Sequence, residues 1–435
     1  MKKQYLAIDI GASSGRHIVG WTENGALKTE EVYRFKNGVK REGEYLIWDI
    51  FALFQNIKEG IKKAIEKYKN IKTLAIDKWG VDYVLMNEDK PILPCISYRD
   101  MRTQISSEEV HKVCPFEKLY EKTGIAFNVF NTIYQLYDDK KKGRLDDATD
   151  FLMIPEYLSY MLTGIKAHEY TNATTTGMLN VETSDYDKEI ITALGLPEKI
   201  FSKPQPTGAA VGYLKEEIAK EVGGQIEVIL CASHDTGSAV EGIPIEGENP
   251  YISSGTWSLL GLKVKNAITD ENSRLANYSN EGGVGYFRYQ KNIMGMWVVN
   301  NLKAELCPNT DFGEIIKKTR ESDFQGIVDI NDNRFLSPES MKLAFDSCFE
   351  RKPQSIGDYF KCALVSLANG YKQALEELSQ NTGKKFDKLY IVGGGAKNTY
   401  LNELTEEICK VKVIAQPIEA TAIGNLKIQI QREEQ

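Results

Sequence analysis

The chain has 435 residues, which exceeds the size of an ordinary single core, so we expect two or three domains. Hydrophobic residues make up 42% and charged residues 26%, which is typical of a soluble globular protein and excludes extended disorder. A net charge of −7 argues against a broad surface for nucleic acid or anionic membranes, so any anionic substrate must be held by local groups.

The seven cysteines are odd in number and never form a Cys-x-x-Cys pair, so neither a zinc site nor a disulfide framework is indicated. The N-terminus lacks a signal-type apolar run, and no later run approaches the roughly 18 apolar residues of a membrane span. We therefore expect a cytoplasmic protein with reduced thiols.

The first predicted element is a β-hairpin at residues 6–21, in which a Gly/Ser turn joins two strand-like runs. The turn is not a Walker A loop, because Arg16 follows Gly15 and no helix is indicated next. Its backbone N–H groups, hydroxyls and guanidinium could still surround phosphates, and Asp9 could orient a hydrated Mg²⁺. The alternative is an ordinary hairpin with a surface arginine.

The region that follows has a mixed α/β pattern. Residues 48–68 carry an i, i+3, i+4 apolar stripe that predicts an amphipathic helix, and residues 73–77 predict a strand. Further along, residues 151–162 and 214–222 predict helices, and residues 168–177 predict a polar loop.

The run at residues 78–85 reads as the start of a strand with an aromatic residue and a carboxylate beside a glycine. Trp79, Gly80 and Asp82 could stack on a sugar and hydrogen-bond it. Equally, Trp79 and Tyr83 could be core residues and Asp82 a capping group. The residue types alone do not separate these two interpretations.

The central stretch is an apolar strand, residues 228–232, that leads into Ser233-His234-Asp235. Such an arrangement puts a carboxylate and an imidazole at the open end of a sheet, where small ligands bind in α/β folds. Asp235 is therefore the candidate base. For His234 a satisfied core histidine is the alternative, but its neighbour Asp235 favours a ligand role.

A second strand–turn–strand run at residues 251–258 repeats the plan of the first hairpin. Its small-residue turn, 253–256, allows close approach of backbone N–H groups and hydroxyls to phosphate oxygens. The repetition predicts a duplicated nucleotide-clamping architecture, with the nucleotide in a cleft between two lobes.

In the last third of the chain, Asn292 is expected to open an apolar helix. The strand at residues 389–392 is followed by glycines 393–395, which would let the backbone approach a planar ligand such as adenine. A simple strand-to-helix turn is the alternative, although such a turn seldom needs three glycines. The other predicted elements here are a helix at 355–378, a strand at 411–415 and a helix-like run at 419–429.

Several short runs together resemble the FGGY carbohydrate kinases and, within that family, the rhamnulokinases. They appear in the family's order and cover nearly the whole chain. The matching runs lie at residues 9–16, 79–82, 98–103, 131–135, 169–175, 234–236, 253–257, 292–295 and 393–395.

The resemblance implies an α/β protein with the two-lobed, duplicated fold of actin-like ATPases (ribonuclease H-like) and a cleft between the lobes. Residues 1–244 would form an N-terminal domain for sugar binding, the catalytic base and a phosphate hairpin, and residues 245–435 a nucleotide-binding domain. ATP, Mg²⁺ and a small-molecule ketose are the implied ligands. Nucleic acid and membranes are not expected partners, and a monomer or homodimer is expected.

The resemblance and the hairpins together give a set of candidate site residues, with Asp235 as proton acceptor and Asp9 as the metal-orienting carboxylate. The candidate ATP-binding residues are Asp9, Ala12, Ser13, Ser14, Gly15, Arg16, Gly255, Thr256, Asn300, Gly394 and Gly395. The candidate sugar-binding residues are Gly80, Asp82, His234, Thr236 and Asn292.

The sequence departs from the rhamnulokinase pattern at several positions. Asn300 stands where Gln is usual, Lys78 stands where a small hydroxyl residue is usual, and Gly237 replaces an Ala. The C-terminus is also short. These departures keep other ketoses or polyols, such as L-fuculose and xylulose, open as substrates.

The implied reaction is transfer of the ATP γ-phosphoryl group to the C1 hydroxyl of a ketose, most simply L-rhamnulose. Such a transfer needs positioned reactants, Mg²⁺ on the polyphosphate and a carboxylate to accept the alcohol proton. Two other classes stay open. An actin-like ATPase would not need the sugar-side groups, and a silent sugar-binding protein would not need both Asp9 and Asp235.

Overall fold

The computed structural model describes residues 2–416 and 419–434 as alternating strands and helices. The strands are β1 Gln4–Ile10, β2 Ser14–Glu23, β3 Ala26–Lys36, β4 Lys40–Glu42, β5 Tyr45–Ile47, β6 Ile71–Lys78, β7 Tyr83–Asn87, β8 Lys90–Ile92, β9 Asp150–Met153, β10 Leu179–Asn180, β11 Asp185–Tyr186, β12 Ala210–Tyr213, β13 Glu227–Ile229, β14 Tyr251–Ser254, β15 Trp257–Val264, β16 Ser279–Gly282, β17 Phe287–Met294, β18 Lys388–Val392 and β19 Lys412–Gln416. The helices are α1 Ile50–Lys67, α2 Thr103–Val113, α3 Phe116–Thr123, α4 Thr132–Lys141, α5 Ile154–Thr163, α6 Tyr170–Thr174, α7 Lys188–Leu194, α8 Glu216–Val222, α9 Asp235–Gly242, α10 Glu271–Leu275, α11 Met296–Leu306, α12 Phe312–Glu321, α13 Met341–Asp346, α14 Ile356–Thr382, α15 Thr399–Cys409 and α16 Ala420–Glu434, with 3-10 turns at Glu198–Ile200, Asn333–Phe335 and Gly394–Lys397. None of the helices in these described ranges has the length and apolar character needed to cross a membrane.

The described residues form two compact units. Unit 1 contains residues 2–243, 264–288 and 419–434, and unit 2 contains residues 244–263 and 289–416. The boundary predicted at residue 244 divides the chain once along its length. In space, two later segments also belong with the first unit.

The predicted first hairpin is confirmed. Strands β1 and β2 pair antiparallel with Asp9 opposite Arg16, and β1 pairs in parallel with β6, which brings Asp77 beside Asp9. Gly15 has a packing role, because an added Cβ would lie 2.2 Å from the Phe35 ring. The hairpin therefore places its turn at the edge where β6 also ends.

The two units repeat one strand topology. The sheet of unit 1 has the order β12-β13-β6-β1-β2-β3, and the strands of unit 2 run β17-β15-β14-β18-β19. In unit 1, β1 pairs antiparallel with β2 and in parallel with β6, and β6 pairs in parallel with β13. In unit 2, β14 pairs antiparallel with β15 and in parallel with β18, and β18 pairs in parallel with β19. The duplicated α/β plan predicted from residues 251–258 is therefore confirmed.

Local patterns predicted several elements correctly. Helix α1 follows the apolar stripe, and the Asp49 side chain caps it by accepting the N–H of Ala52 at 2.9 Å. Strands β6, β18 and β19 and helices α8, α14 and α16 also lie where the periodicity placed them, within a few residues. These elements were predicted correctly because each helix buries one face and each strand is buried along its length, which leaves a clear apolar pattern in the sequence.

Other boundaries were wrong. The strand expected at 228–232 ends at Ile229, and Asp235 begins helix α9. The segment 151–162 divides into β9 and α5, and the expected polar loop at 168–177 contains α6 and is largely buried. Asn292 lies in strand β17, and helix α11 begins only at Met296. In each case contacts with distant residues outweigh the local pattern.

Helix α9, which begins at Asp235, packs closely against the C-terminal helix α16. A Cβ at Gly424 would lie 1.7 Å from the carbonyl oxygen of Ser238, so the two helices approach almost backbone to backbone. Asn425, one residue later on α16, donates to Asp77 Oδ2 at 2.6 Å. Helix α16 therefore fixes α9 relative to β6, which explains why the C-terminal segment joins unit 1.

We expect Gly424→Ala to lower the free energy of unfolding by roughly 1–3 kcal/mol, because the new methyl group forces α9 and α16 apart. Thermal or urea unfolding measures the change. Gly38→Ala is the matched control, since its Cβ would meet no atom within 4 Å, and it should stay within about 0.5 kcal/mol of the parent. Equal stability of the two variants would contradict this account of the helix contact.

Candidate active site

Polar residues lie together at the edge of the unit 1 sheet that is formed by the carboxyl ends of its parallel strands β1, β6 and β13. Strands β1 and β6 are neighbours, and Asp9 and Asp77 stand opposite each other near their ends. Beyond the end of β13, Lys78 and His234 form a parallel bridge, and the Lys78 N–H donates to the Ser233 carbonyl oxygen at 2.9 Å. This edge therefore collects Asp9, Asp77 and the segment that carries Asp235.

The three carboxyl groups at this edge influence one another. Burial raises the pKa of Asp9, although Arg16 donates to its Oδ2 from Nε at 2.8 Å and from Nη2 at 2.7 Å. Burial, and then the charge of Asp9, raise the pKa of Asp77 well above its usual range. The charge of Asp235 raises the pKa of both. Its own side chain is 33% exposed, so it is accessible rather than packed in hydrocarbon.

The turn of the first hairpin has a mixed environment. Ser13 is exposed and Ala12 and Ser14 are half-buried, so the tip of the turn faces solvent. The Arg16 guanidinium bridges Asp9 and Glu419. Asp9 and Arg16, predicted for Mg²⁺ and phosphate respectively, thus neutralise each other across the hairpin.

A strained turn follows β6. Val81 has φ of +67°, which is unusual for a β-branched residue, and the Asp82 N–H donates to the Gly80 carbonyl oxygen at 2.9 Å across it. Thr175 Oγ1 accepts the Val81 N–H at 3.0 Å, and Thr132 Oγ1 donates to the Val81 carbonyl at 2.7 Å. These bonds hold a strained conformation of the kind that clusters at functional sites. Gly80 itself is buried, and an added Cβ there would lie 2.9 Å from the Thr175 side chain.

The aromatic residue beside this turn belongs to the core. Trp79 is buried against Trp48, with ring centroids 4.2 Å apart, and both indole N–H groups donate to Asp82 Oδ2, at 2.8 and 2.6 Å. Burial raises the pKa of Asp82 to about 6. Sugar binding by Asp82 stays a prediction, and its observed contacts orient the two indoles.

Lys78 is fully buried beside the rings of Trp48 and Trp79. Its Nζ lies 3.6 Å from the centroid of the Trp79 ring and has no hydrogen-bond partner. Burial lowers the pKa of this amine to about 7, and the charges of Cys95 and Asp82 oppose the shift. The residue that departs from the rhamnulokinase pattern is therefore a buried, weakly basic amine.

We expect Lys78→Met to be more stable than the parent at pH 6 by roughly 1–4 kcal/mol, because the variant does not bury a charge. The unfolded chain binds this proton more tightly than the folded one, so the parent gains stability as pH rises above 7. Urea unfolding at pH 6 and pH 9 should therefore show the advantage of the variant shrinking. Lys36→Met, at an exposed position in β3, is the control. An advantage that grows with pH would contradict the expectation.

The buried carboxylate of Glu169 holds the segment that leads to Asp235, a role that its own local sequence does not indicate. Its Oε2 accepts the Ser233 N–H and hydroxyl at 3.0 and 2.8 Å, the Thr171 hydroxyl at 2.6 Å and the Asn172 N–H at 3.1 Å. Its Oε1 accepts the Thr171 N–H and the Thr207 hydroxyl, both at 2.9 Å. The motif at 169–175 contained this residue, but its distant partners are visible only in the fold.

In unit 2, the second hairpin turn packs on the start of helix α11. The Met296 N–H donates to the Gly255 carbonyl oxygen at 2.9 Å, and the Trp297 N–H donates to that of Thr256 at 3.2 Å. A Cβ at Gly295 would lie 2.6 Å from the backbone of this turn. Gly255 and Thr256 themselves are exposed, so the turn is held from one side and open on the other.

The three glycines after β18 differ in why glycine stands at each position. Gly393 has φ of +83°, and a Cβ at Gly395 would lie 1.9 Å from Ser254 Oγ, so both are required by packing within unit 2. Gly394 is exposed, and a Cβ there would meet no atom within 4 Å. These residues do form a turn between strand β18 and helix α15, and Gly394 is the position in it that is open to a ligand.

The remaining predicted site residues differ in exposure, and Thr236 is buried. Asn292 on β17 and Asn300 on α11 are both exposed. The structure therefore brings the predicted residues together as two groups, one in each unit, and the predicted cleft between lobes stays a prediction. Among the described residues, no cluster of three or more His, Cys, Asp or Glu side chains is arranged to hold a metal ion.

Comparison with known proteins identifies the family. Residues 4–242 match the N-terminal domain, and residues 250–431 the C-terminal domain, of the FGGY family of carbohydrate kinases. The chain belongs to this family. It is a carbohydrate kinase.

Curated relatives match over almost the full length. The chain is 42% identical to the rhamnulokinase of Oceanobacillus iheyensis, over 99% of this chain and 93% of the relative. It is 43% identical to the rhamnulokinase of Halalkalibacterium halodurans, over 98% and 92% respectively.

Solved structures share the fold at low identity. A gluconate kinase and a ligand-bound xylulose kinase, both from Lactobacillus acidophilus, superpose with TM-scores of 0.85 at 16% and 17% identity. They cover 100% and 99% of this chain, which covers 90% of each. A glycerol kinase from Plasmodium falciparum with ADP, of which this chain covers 90%, has a TM-score of 0.78 at 16% identity over 100% of this chain. The two-domain α/β fold of FGGY sugar kinases is thereby established.

Proposed function

We propose that this enzyme transfers the γ-phosphoryl group of ATP to the C1 hydroxyl of L-rhamnulose. The observation that carries the proposal is the 42–43% identity to two rhamnulokinases over nearly the whole of each chain. The polar edge of unit 1, with its accessible carboxylate, supplies the chemistry that such a transfer requires.

Asp235 is the proposed proton acceptor. Its carboxylate lies at the first position of α9, is partly exposed, and its Oδ1 accepts the Thr236 N–H at 2.6 Å, which limits its rotation. A carboxylate held in this way can take the proton of a bound alcohol as the new bond to phosphorus forms. His234 and the backbone at Gly80 lie on neighbouring segments of the same edge and are proposed to orient the ketose.

The nucleotide is proposed to bind through the two hairpin turns and Gly394. Exposed Ser13 and Thr256 supply hydroxyls, and small residues let backbone N–H groups approach phosphate oxygens. Asn300 is a further proposed contact.

The residues at the unit 1 edge fit a magnesium ion. Asp9 is one buried carboxylate, and Asp77 Oδ1 beside it lacks a hydrogen-bond partner. Mg²⁺ typically uses one or two protein carboxylates together with substrate phosphates, and no larger cluster is present in the described residues. Asp9 would hold the ion, which would neutralise charge on the polyphosphate.

A panel assay of ketose-stimulated ADP release tests the function, with L-rhamnulose, L-fuculose, D-xylulose and a reaction without sugar. We expect L-rhamnulose to give the highest kcat/KM and the product to carry phosphate at C1 by ³¹P and ¹³C NMR. A higher kcat/KM for another sugar would reassign the substrate. ATP turnover indifferent to every sugar would favour an ATPase instead.

A further inference from the structure

The strained turn at Val81 is held by more than its bonds to Thr132 and Thr175. Its carbonyl oxygen accepts a second hydrogen bond, from Gln135 Nε2 at 3.2 Å, beside the one from Thr132. The same Nε2 donates to the Phe130 carbonyl oxygen at 2.9 Å. Gln135 is buried, so water does not compete for these bonds. Two residues of helix α4 therefore fix the carbonyl side of the turn.

The orientation of the Gln135 amide follows from its neighbours. Backbone carbonyl oxygens only accept, so the end of the amide that faces Val81 and Phe130 is the NH₂ group. On the other side, Arg102 Nη2 lies 3.3 Å from Gln135 Oε1, and a guanidinium only donates. A reversed amide would turn its oxygen toward two carbonyls and its NH₂ group toward the guanidinium. Only one orientation therefore satisfies every contact.

Arg102 is itself held by two carboxylates. Its side chain is 4% exposed, and Nη1 contacts Asp139 Oδ1 and lies 3.3 Å from Asp138 Oδ2. A buried guanidinium that is paired in this way has a fixed position, and breaking such a pair is costly. Thr132, Gln135 and Asp139 are spaced i, i+3 and i+7 on α4, so one face of the helix carries the contacts from the ion pair to the turn.

The turn needs this support because its conformation is unfavourable for valine. The bond from the Asp82 N–H to the Gly80 carbonyl oxygen closes a three-residue turn with positive φ at Val81, which is the rare and strained form of the γ-turn. Such strain persists only where the surrounding structure over-determines the backbone. A glycine in place of Val81 would adopt the same φ without that cost. Relaxation of the turn would move the backbone of Gly80.

We propose that Arg102 and Gln135 are positioning residues for sugar binding. Arg102 orients the Gln135 amide, and that amide holds Val81 in its strained conformation and so fixes the backbone of Gly80. The consequence for the ketose rests on the proposed function, in which Gly80 orients the sugar. The hold on the turn is a property of the free protein and does not depend on the substrate.

The first test measures the turn in the free protein by amide hydrogen exchange. The Val81 N–H is bonded to Thr175 Oγ1 and the Asp82 N–H to the Gly80 carbonyl oxygen, so both should exchange slowly in the parent. In Gln135→Met we expect both to exchange at least about tenfold faster relative to the N–H groups of strand β6. Unchanged relative exchange at these two positions would overturn the proposal, whatever the substrate proves to be.

The second test measures kinetics with the ketose that the enzyme uses best. For Gln135→Met we expect the KM for the ketose to rise roughly tenfold, with kcat and the KM for ATP within about threefold. Gln429→Met is the matched control, because Gln429 is also buried in unit 1 and its side chain also makes three hydrogen bonds, with Thr73, Asn425 and the Leu6 carbonyl oxygen. It should retain the parental KM for the ketose. Equal ketose KM values for the two variants would overturn the proposal.

A third test combines Gln135→Met with Val81→Gly. Because glycine adopts positive φ without strain, the turn needs less support in that background. We expect Gln135→Met to raise the ketose KM by less than about threefold when Val81 is replaced by glycine, against roughly tenfold in the parent. An equal factor in both backgrounds would overturn the proposal, since a role of Gln135 in packing alone would not depend on position 81.

Should Gln135→Met not fold, Arg102→Lys provides the same readouts. Lysine keeps the charge beside Asp138 and Asp139 but lacks the planar fork that also reaches Gln135. If the parent phosphorylates no ketose of the panel, the proposed function fails, while the hydrogen-exchange test still decides this inference.

Discussion

Asp235→Asn is expected to lower kcat for sugar phosphorylation on the order of 10²–10⁴-fold while leaving sugar and ATP binding largely intact. An amide has nearly the same shape and can still accept the Thr236 N–H, but it cannot take the alcohol proton. A coupled ADP-release assay measures turnover, and titration calorimetry measures the two binding constants.

Asp270→Asn is the matched control for that variant, because Asp270 also stands at the start of a helix, where it caps α10 by accepting the Ser273 N–H. It should retain turnover within about twofold, since asparagine caps a helix as well as aspartate does. Substantial turnover in Asp235→Asn would contradict the assignment of the base. Loss of sugar binding together with turnover would instead make Asp235 chiefly a binding residue.

Glu169→Ala should have the largest effect on stability, lowering the free energy of unfolding by roughly 3–5 kcal/mol. The substitution leaves six donors around a buried site without their acceptor. Because two of those donors belong to Ser233, the segment that carries His234 and Asp235 should loosen, and kcat should fall as well. Urea unfolding and the coupled assay measure the two effects.

Two variants sharpen the test of Glu169. Glu169→Gln keeps one acceptor oxygen but turns an NH₂ group toward donors, so its stability should lie between that of the parent and that of Glu169→Ala. Glu182→Ala, at an exposed position, should stay within about 0.5 kcal/mol of the parent. A Glu169→Ala protein with parental stability would show that water replaces the carboxylate without cost.

Candidate site residues could be proposed from the sequence where they lie together in short local runs. The turn at residues 9–16 and its counterpart at 253–256 were recognised because small residues between apolar strands have few other conformations. The pair His234-Asp235 was proposed because it follows an apolar run, although the strand there ends at Ile229 and Asp235 begins helix α9. By contrast, the three glycines after β18 looked alike in sequence, and only packing against Ser254 separates Gly395 from Gly394.

Residues that act through distant partners could not be predicted. Glu169 meets Ser233 across 64 positions, and Gln135 meets Val81 across 54. No periodicity or turn signal encodes such a contact, because it depends on which segments the whole sheet brings to the same edge. The strain at Val81 is similar, since bonds from remote threonines hold a conformation that its own sequence disfavours.

Short runs of residues were enough to recognise the family and the repeated strand–turn–strand plan and to propose Asp235 as the base, because each of these features lies within a few consecutive residues. The tertiary structure alone decided that residues 419–434 belong with unit 1, that Trp79 and Lys78 are core residues, and that Asp9 is joined to Arg16 and Asp77. The physical reason is that burial and charge are set by every neighbour in space, and most of those neighbours lie far away along the chain.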